Sequence, residues 1–236
     1  MRSSRPATAS RKARVPDVRG CRGPSPGGQM TSITSMPAAW ASRAGEPGQI
    51  GSLADKLQVP QPGLPCARRR RISQLISDGA RHRVTLICAP PGAGKTAACA
   101  SWARDSPAAG RIVWVTVGPE DGREWFWAYV CAGLRQAGVR PAEVIQSLED
   151  ASAAAFPLRL VGAARTFTEP VVLMLDNVHE VTDDTVLGGM AFVIHHAPAA
   201  LRLVLCGRRM PAGLQLARLP ISDLVYIGAR ELAYEG

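Results

Sequence analysis

Residues 89–96 constrain the fold of this 236-residue chain more than any other part of it. An apolar run, residues 84–88, precedes them, and a helix-forming run, residues 96–102, follows. A buried strand, a glycine-rich turn and a Lys-Thr pair that opens a helix are the arrangement of a phosphate-binding loop. The positions of this loop, in which an alanine replaces the usual first glycine, are Ala89, Pro90, Pro91, Gly92, Ala93, Gly94, Lys95 and Thr96.

The chemistry of the loop indicates which of its groups would hold phosphate. Backbone N–H groups of the loop and the helix N-terminus point at phosphate oxygens, and the helix dipole favours negative charge there. Gly92 and Gly94 remove Cβ atoms where the backbone and a phosphate must come close. We expect Lys95 to reach the β- and γ-phosphates and the Thr96 hydroxyl to hold Mg²⁺. The loop therefore predicts a nucleotide and magnesium site.

Apolar runs alternate with helical patterns along the rest of the chain. Short apolar strands that alternate with helices are typical of a parallel sheet covered on both faces. The predicted fold class is therefore α/β, a P-loop NTPase with a parallel sheet of about five strands flanked by helices. Residues 51–66 contain prolines and are predicted to be extended. We predict strands at residues 84–88, 112–117, 171–175, 201–206 and 224–227, and helices at residues 68–78, 96–104, 124–136, 142–154, 158–166 and 184–195.

The positive charge of the chain is unevenly placed. The net charge is +9, and residues 1–50 carry eight Lys or Arg against two Asp or Glu, which is +6. This segment is rich in Arg, Ser, Pro, Gly and Ala without a period, and we expect a disordered basic tail. The P-loop domain is predicted to occupy residues 51–236. Because the domain itself is nearly balanced in charge, its composition is weak support for nucleic-acid binding.

Composition also bears on location. No run approaches the roughly 18 apolar residues that span a bilayer, and the basic first residues lack the apolar segment of a secretory signal. The six cysteines show no C-x-x-C pair or metal spacing. Reduced thiols and a cytoplasmic location are therefore expected. Four of these thiols lie in apolar segments and are predicted to be buried: Cys88, Cys99, Cys131 and Cys206.

A second half of the nucleotide site follows the third predicted strand. Five apolar residues, 171–175, end in Asp176, and a carboxylate at that strand end is suited to bind Mg²⁺ directly or through water. The next residue is Asn177, whose amide can hydrogen-bond a water molecule but cannot accept its proton. His179 and Glu180 are alternative bases, although a structural histidine and a surface carboxylate are the favoured interpretations. The sequence therefore predicts slow or absent hydrolysis.

Basic and aromatic residues elsewhere are further candidates for the site. Arg208 follows the fourth predicted strand and is placed to sense a γ-phosphate, with Arg209 as the reserve and a solvated basic turn as the alternative. Residues 68–71 are interpreted as a solvated helix start rather than a nucleic-acid site. The aromatic residues within 125–129 have helical spacing and are interpreted as packing between a helix and the sheet.

Several stretches, taken in order, resemble the ATPase domain of the large ATP-binding LuxR-type transcriptional regulators, the group that includes the maltose-regulator type. That group belongs to the signal-transduction ATPases with numerous domains. The similarity covers about residues 53–236. The stretches are residues 56–60, 89–96, 114–117, 126–129, 175–180 and 201–219, together with Trp102.

This resemblance implies a switch in which ATP holds an active, assembling state and ADP a resting one. It implies ATP, ADP and Mg²⁺ as ligands and self-association or further regulator domains as partners, with DNA bound only indirectly. Two departures matter. Asn177 replaces the family's second acid, and the sequence ends at Gly236, before the family's sensor and helix-turn-helix regions. We therefore expect a truncated regulator, at most a slow ATPase.

Two other functions stay open at the level of sequence. One is a self-standing P-loop ATPase or a small-molecule kinase, since Arg208, Arg209 and Arg218 do not exclude an arginine-bearing lid over the phosphates. The other is direct nucleic-acid binding through residues 1–50, which would be steeply salt-dependent.

Overall fold

The computed structural model describes residues 53–61, 70–105, 111–139 and 152–233. The predicted tail, residues 1–50, and nearly all of the predicted helix 142–154 lie outside these ranges. The described part contains seven α-helices, and none of them combines the length and apolar character needed to cross a bilayer. The helices are α1 Leu53–Leu57, α2 Arg70–Gly79, α3 Lys95–Asp105, α4 Arg123–Gln136, α5 Phe156–Ala164, α6 Asp184–His196 and α7 Ala229–Leu232.

Five parallel strands form one sheet in the order β2-β3-β4-β1-β5, as the α/β prediction requires. The predicted strands agree with the structure to within one residue at each end. Because β4 lies between β1 and β3, the segment after β4 lies between the segments that follow the other two strands. The strands are β1 Val84–Cys88, β2 Arg111–Thr116, β3 Val171–Asp176, β4 Leu201–Gly207 and β5 Leu224–Ile227.

Helices cover both faces of the sheet, so the predicted P-loop NTPase architecture is confirmed. Alternate residues of each strand enter two separate cores, as the two-residue period of a strand dictates. On one face, Leu173 and Leu205 pack with α4, α5 and α6, whereas on the other face Met174 and Val204 pack with α2 and α3. All six residues of β3 are buried, which explains its uninterrupted apolar sequence.

The aromatic residues of α4 pack inward, as predicted. Phe126, Trp127 and Tyr129 are each at most 2% exposed. The Trp127 ring stacks on Phe156 of α5 with 5.3 Å between ring centroids. These rings fix α4 and α5 on the sheet and are not available to stack on nucleic-acid bases.

The segment of residues 53–61, here called the strap, differs from the prediction. Its first part is the helix α1 rather than an extended chain, because the prolines that oppose a helix come only after Leu57. Leu57 packs in the core beneath α4, whereas Val59 packs against the core on the opposite face. The strap therefore passes around the outer edge of the sheet beside β2, a position that shields an edge strand.

Helix α5 begins two residues earlier than predicted, at Phe156 rather than Leu158. The early start is compatible with Pro157, since the first turn of a helix leaves its N–H groups without helical partners and tolerates proline. The thiol predictions are largely confirmed: Cys99, Cys131 and Cys206 are buried and form no disulfide, while Cys88 is only half-buried.

Candidate functional site

The carboxyl ends of β1, β3 and β4 meet at one edge of the sheet. Pairing aligns Cys88 of β1 with Gly207 of β4, while Asp176 closes β3. Ligands of open parallel sheets bind outside this edge. The phosphate loop, Asp176 and the residues after β4 therefore lie in one region of the molecule. All of the site residues predicted from the sequence belong to these three segments.

The phosphate loop has the backbone that its glycines allow. Gly92 and Gly94 have φ of 79° and 75°, in the left-handed region that glycine adopts without steric cost. A Cβ built on Gly92 meets nothing within 4 Å, so open space adjoins the loop at this residue. The loop is held against the end of β4, the strand that precedes Arg208. The Ala89 N–H donates to the Gly207 carbonyl there at 3.3 Å.

Lys95 is the first residue of α3 and is only 8% exposed. Its ammonium group donates to the carbonyl oxygen of Pro90, five residues earlier, at 2.9 Å. This contact folds the lysine back over its own loop. A buried cation beside the N-terminus of a helix favours an anionic ligand.

The two predicted metal ligands lie in direct contact. The Thr96 hydroxyl donates to Oδ2 of Asp176 at 2.9 Å, across 80 residues of sequence. Asp176 is 2% exposed, and its other oxygen, Oδ1, accepts the N–H of Asn177 at 3.0 Å. A hydroxyl and a carboxylate are the hard oxygen donors that suit Mg²⁺, so these residues fit the ion that the sequence predicted.

Asn177 adopts the left-handed conformation, with φ of 61°. Asparagine tolerates this conformation better than most residues. A short 3₁₀ helix, Val178–Glu180, follows directly. The turn therefore directs the chain after Asp176 so that His179 lies near the end of β4.

His179 connects the turn after β3 to the segment after β4, a contact that sequence reasoning missed. Its Nδ1 accepts the N–H of Arg208 at 3.4 Å, and its Nε2 lies 3.1 Å from Oε1 of Glu180 without hydrogen-bond alignment. Burial lowers the pKa of His179, and Arg208 and Lys95 act in the same direction, against Glu180 and Asp176. A neutral imidazole that already accepts a hydrogen bond acts as a structural bridge, the interpretation that the sequence favoured.

The structure places Arg208 beside the loop through its backbone. The Cys88 thiol donates to the Arg208 carbonyl at 3.3 Å. The Arg208 side chain is exposed beyond the carboxyl end of β4. Its role as a γ-phosphate sensor stays a prediction. Among the described residues, no group of three or more His, Cys, Asp or Glu is placed to hold a metal ion.

A buried charge cluster at the end of β2 was also missed from sequence. Lys56 of the strap lies 2.6 Å from Glu120 and 2.8 Å from Asp121. Desolvation opposes the charged lysine, but hydrogen bonds and attraction from both carboxylates outweigh it and raise the pKa of Lys56. Burial, together with the negative charges of Asp121 and Glu120, raises the pKa of Tyr129. The sequence around a single lysine such as Lys56 does not indicate which carboxylates it will pair with, because the fold alone brings the two segments together.

No protein-family model matches the sequence. Over 172 residues the chain is 30% identical to the HTH-type transcriptional regulator MalT of Serratia proteamaculans (strain 568), a stretch that covers 70% of this chain and 19% of the regulator. The MalT protein of Yersinia pestis (strain Pestoides F) gives the same identity and coverage.

A solved structure from Pyrococcus horikoshii, described as a Signal Transduction ATPase with Numerous Domains protein with a tetratricopeptide repeat sensor, aligns with a TM-score of 0.47 and 17% identity. The alignment covers 72% of this chain and 24% of that one. This chain spans about a fifth of the length of the MalT relatives. The sequence comparison nonetheless confirms the resemblance found in the motifs: the chain is related to one segment of the large LuxR-type transcriptional regulators of the MalT kind.

Proposed function

We propose that residues 51–236 bind ATP and ADP with Mg²⁺ and serve as the nucleotide-dependent switch of a transcriptional regulator, with residues 1–50 as a separate basic tail. The observation that carries the proposal is the 2.9 Å hydrogen bond between Thr96 and Asp176. It joins the residue after the phosphate-loop lysine to the carboxylate that ends β3, two positions with no local reason to meet.

Each residue of the site has a role in nucleotide binding. The N–H groups of residues 92–96 cradle the phosphates. Lys95 exchanges its contact with the Pro90 carbonyl for the β- and γ-phosphate oxygens, which are the stronger acceptors because they are charged. Thr96 and Asp176 hold Mg²⁺, which when bound neutralises charge shared between the β- and γ-phosphates.

Hydrolysis is slow or absent in this proposal. Asn177 orients a water molecule through its amide but takes no proton from it. His179 does not replace the missing base, because its Nδ1 already accepts the Arg208 N–H and its Nε2 is buried. The Arg208 guanidinium contacts the γ-phosphate, and its backbone passes a change at that phosphate to the turn after β3 through His179.

The regulatory part of the proposal rests on the relatives. The matched proteins are HTH-type transcriptional regulators, of which this chain spans about a fifth. ATP favours an assembling state and ADP a resting state. The partners are further copies of the protein or other regulator domains, and DNA is contacted through those domains rather than by the described residues.

Equilibrium binding of ATP and ADP with Mg²⁺ tests the proposal, with turnover recorded in the same samples. Wild type is compared with Lys95→Ala, and Arg230→Ala in the exposed part of α7 serves as the matched loss of one positive charge. We expect binding by wild type and Arg230→Ala, loss of binding by Lys95→Ala, and little turnover. Absence of binding by a folded wild type would contradict the binding proposal, and turnover above roughly 1 per second, within the range of ordinary enzymes, would contradict slow hydrolysis.

A further inference from the structure

A groove of about 500 Å³ lies between α6 and the turns that follow β4. Gly188 and Ala191 of α6 line it, and because glycine has no side chain and alanine only a methyl group, they leave the space open. The two walls come close where a Cβ on Gly213 would lie 3.0 Å from Leu187. We refer to this feature as the α6 groove.

The α6 groove is distinct from the proposed nucleotide site. Helix α6 ends at His196 and β4 begins at Leu201, so the part of the groove lined by His195 and His196 lies near the amino edge of the sheet. The phosphate loop follows the carboxyl end of β1, at the opposite edge. A ligand in the groove therefore does not compete directly with a nucleotide.

One wall of the groove is aromatic and carries an unused polar atom. The rings of Phe192 and His196 pack with 4.5 Å between their centroids. His195 also lines the groove, and its buried Nε2 has no hydrogen-bond partner among the described residues. A buried polar atom without a partner costs free energy.

The opposite wall supplies positive charge. Arg218 and Gln215 line the groove there, and no carboxylate lines it within the part of the chain that the structure describes. Gln215 has φ of 52°, a strained conformation for a residue that is not glycine. Arg218 presents five N–H donors in a planar fork that matches a carboxylate.

The α6 wall of the groove is held in place before any ligand arrives. Arg83 donates to the carbonyl of His195 at 2.8 Å and also pairs with Asp223 at 3.3 Å. These contacts tie the C-terminal end of α6 to the segment that leads into β5. A groove with a fixed wall loses less conformational entropy when it binds.

We propose that the α6 groove binds an acidic peptide segment of a partner protein, with a carboxylate on Arg218 and an apolar side chain against Phe192. Charge complementarity carries this assignment, because the lining offers a guanidinium, an amide and imidazoles but no negative group. The groove is open along one side rather than enclosed, which suits an extended chain better than a small molecule that must be surrounded.

A synthetic peptide, acetyl-Glu-Glu-Phe-Glu-Glu-amide, is the probe, and its glutamine analogue is the control. Binding of the peptide to the full-length chain is followed by fluorescence anisotropy. The binding site is located by chemical-shift changes in the labelled protein. We expect Arg218→Ala to weaken binding of the acidic peptide by about tenfold, the loss of one charge-assisted contact. Phe192→Leu should also weaken it, whereas Arg230→Ala, a matched loss of charge outside the groove, should leave it unchanged.

Equal binding of the glutamine analogue, unchanged affinity of a folded Arg218→Ala variant, or shift changes away from α6 would each overturn the proposal. Absence of detectable peptide binding would do so as well. If sodium benzoate binds at Arg218 and the acidic peptide does not, the groove is a small-molecule site and the peptide assignment is wrong.

Discussion

Lys56 in the strap forms a 2.8 Å ion pair with Asp121, 65 residues later in the chain. The side chain of Asp121 is 1% exposed, and its Oδ2 also accepts the Gly118 N–H at 2.6 Å. Glu120 adds a second carboxylate, whose side chain is 43% exposed. Since Leu57 and Val59 pack on opposite faces of the sheet, this ion pair fixes the place where the strap crosses its edge.

Replacing Lys56 with methionine should destabilise the domain strongly. The change leaves the carboxylate of Asp121 buried without its cation, a kind of loss that costs about 3 kcal/mol or more. Glu120→Gln removes only the more exposed partner and should cost about 1 kcal/mol or less. Urea unfolding of the three proteins gives the comparison. Similar small effects for both variants would show that Lys56 does not anchor the strap.

The same cluster should make stability depend on pH. The hydrogen bond from Lys56 lowers the pKa of Glu120 below its ordinary value of 4.5. A group with a lowered pKa in the folded state contributes stability above its unfolded pKa and loses it as the pH falls through the folded pKa. We expect the free energy of unfolding to fall less steeply below pH 4.5 in Glu120→Gln than in wild type. Unfolding curves at several pH values check this, and parallel slopes would contradict it.

Asp176→Asn should separate nucleotide binding from magnesium binding. The amide retains an oxygen that can accept the Thr96 hydroxyl, but it lacks the charge that holds Mg²⁺. Binding of ADP in the presence of EDTA should therefore persist, while the gain in affinity on adding Mg²⁺ should largely disappear. Thr96→Ser, which keeps the hydroxyl, is the matched control and should retain the gain. Titrations of the variants with ADP, with and without Mg²⁺, measure this gain in affinity.

Asn177→Asp should raise ATP turnover. The new carboxylate can take a proton from water, and general-base assistance contributes about a hundredfold or more where the geometry is good. Aspartate accepts the left-handed backbone of this position nearly as well as asparagine. Asn177→Gly fits that backbone without a carboxylate and should give no increase. A phosphate-release assay measures all three proteins; an unchanged rate in Asn177→Asp would mean that another feature limits hydrolysis.

Two glycines with equal space but different backbones should respond oppositely to alanine. A Cβ meets nothing within 4 Å at either Gly92 or Gly162. Gly92 has φ of 79°, which costs an alanine about 1–2 kcal/mol, whereas Gly162 lies inside α5, where alanine should stabilise by about 0.4–1 kcal/mol. Thermal unfolding of both variants tests this. Equal effects would argue against the left-handed conformation of the loop.

Local patterns were sufficient to predict much of this domain. The run before Asp176 is apolar throughout, and the run before Cys88 is apolar except for Thr85, because both faces of a central parallel strand are buried. The positions of these strands therefore follow from local sequence. The phosphate loop is equally local, since Gly92, Gly94 and Lys95 act through adjacent backbone atoms. Sequence therefore determined the fold class, the strands and the phosphate loop.

Tertiary structure alone decided how distant segments meet. The contact of Thr96 with Asp176 depends on the order of strands in the sheet, and the bridge from His179 to Arg208 depends on β4 lying beside β3. The pairing of Lys56 with Asp121 and the α6 groove likewise have no signature in adjacent residues. The physical reason is that hydrogen bonds and ion pairs act over a few ångströms, and only the folded chain places residues so far apart in sequence within that distance.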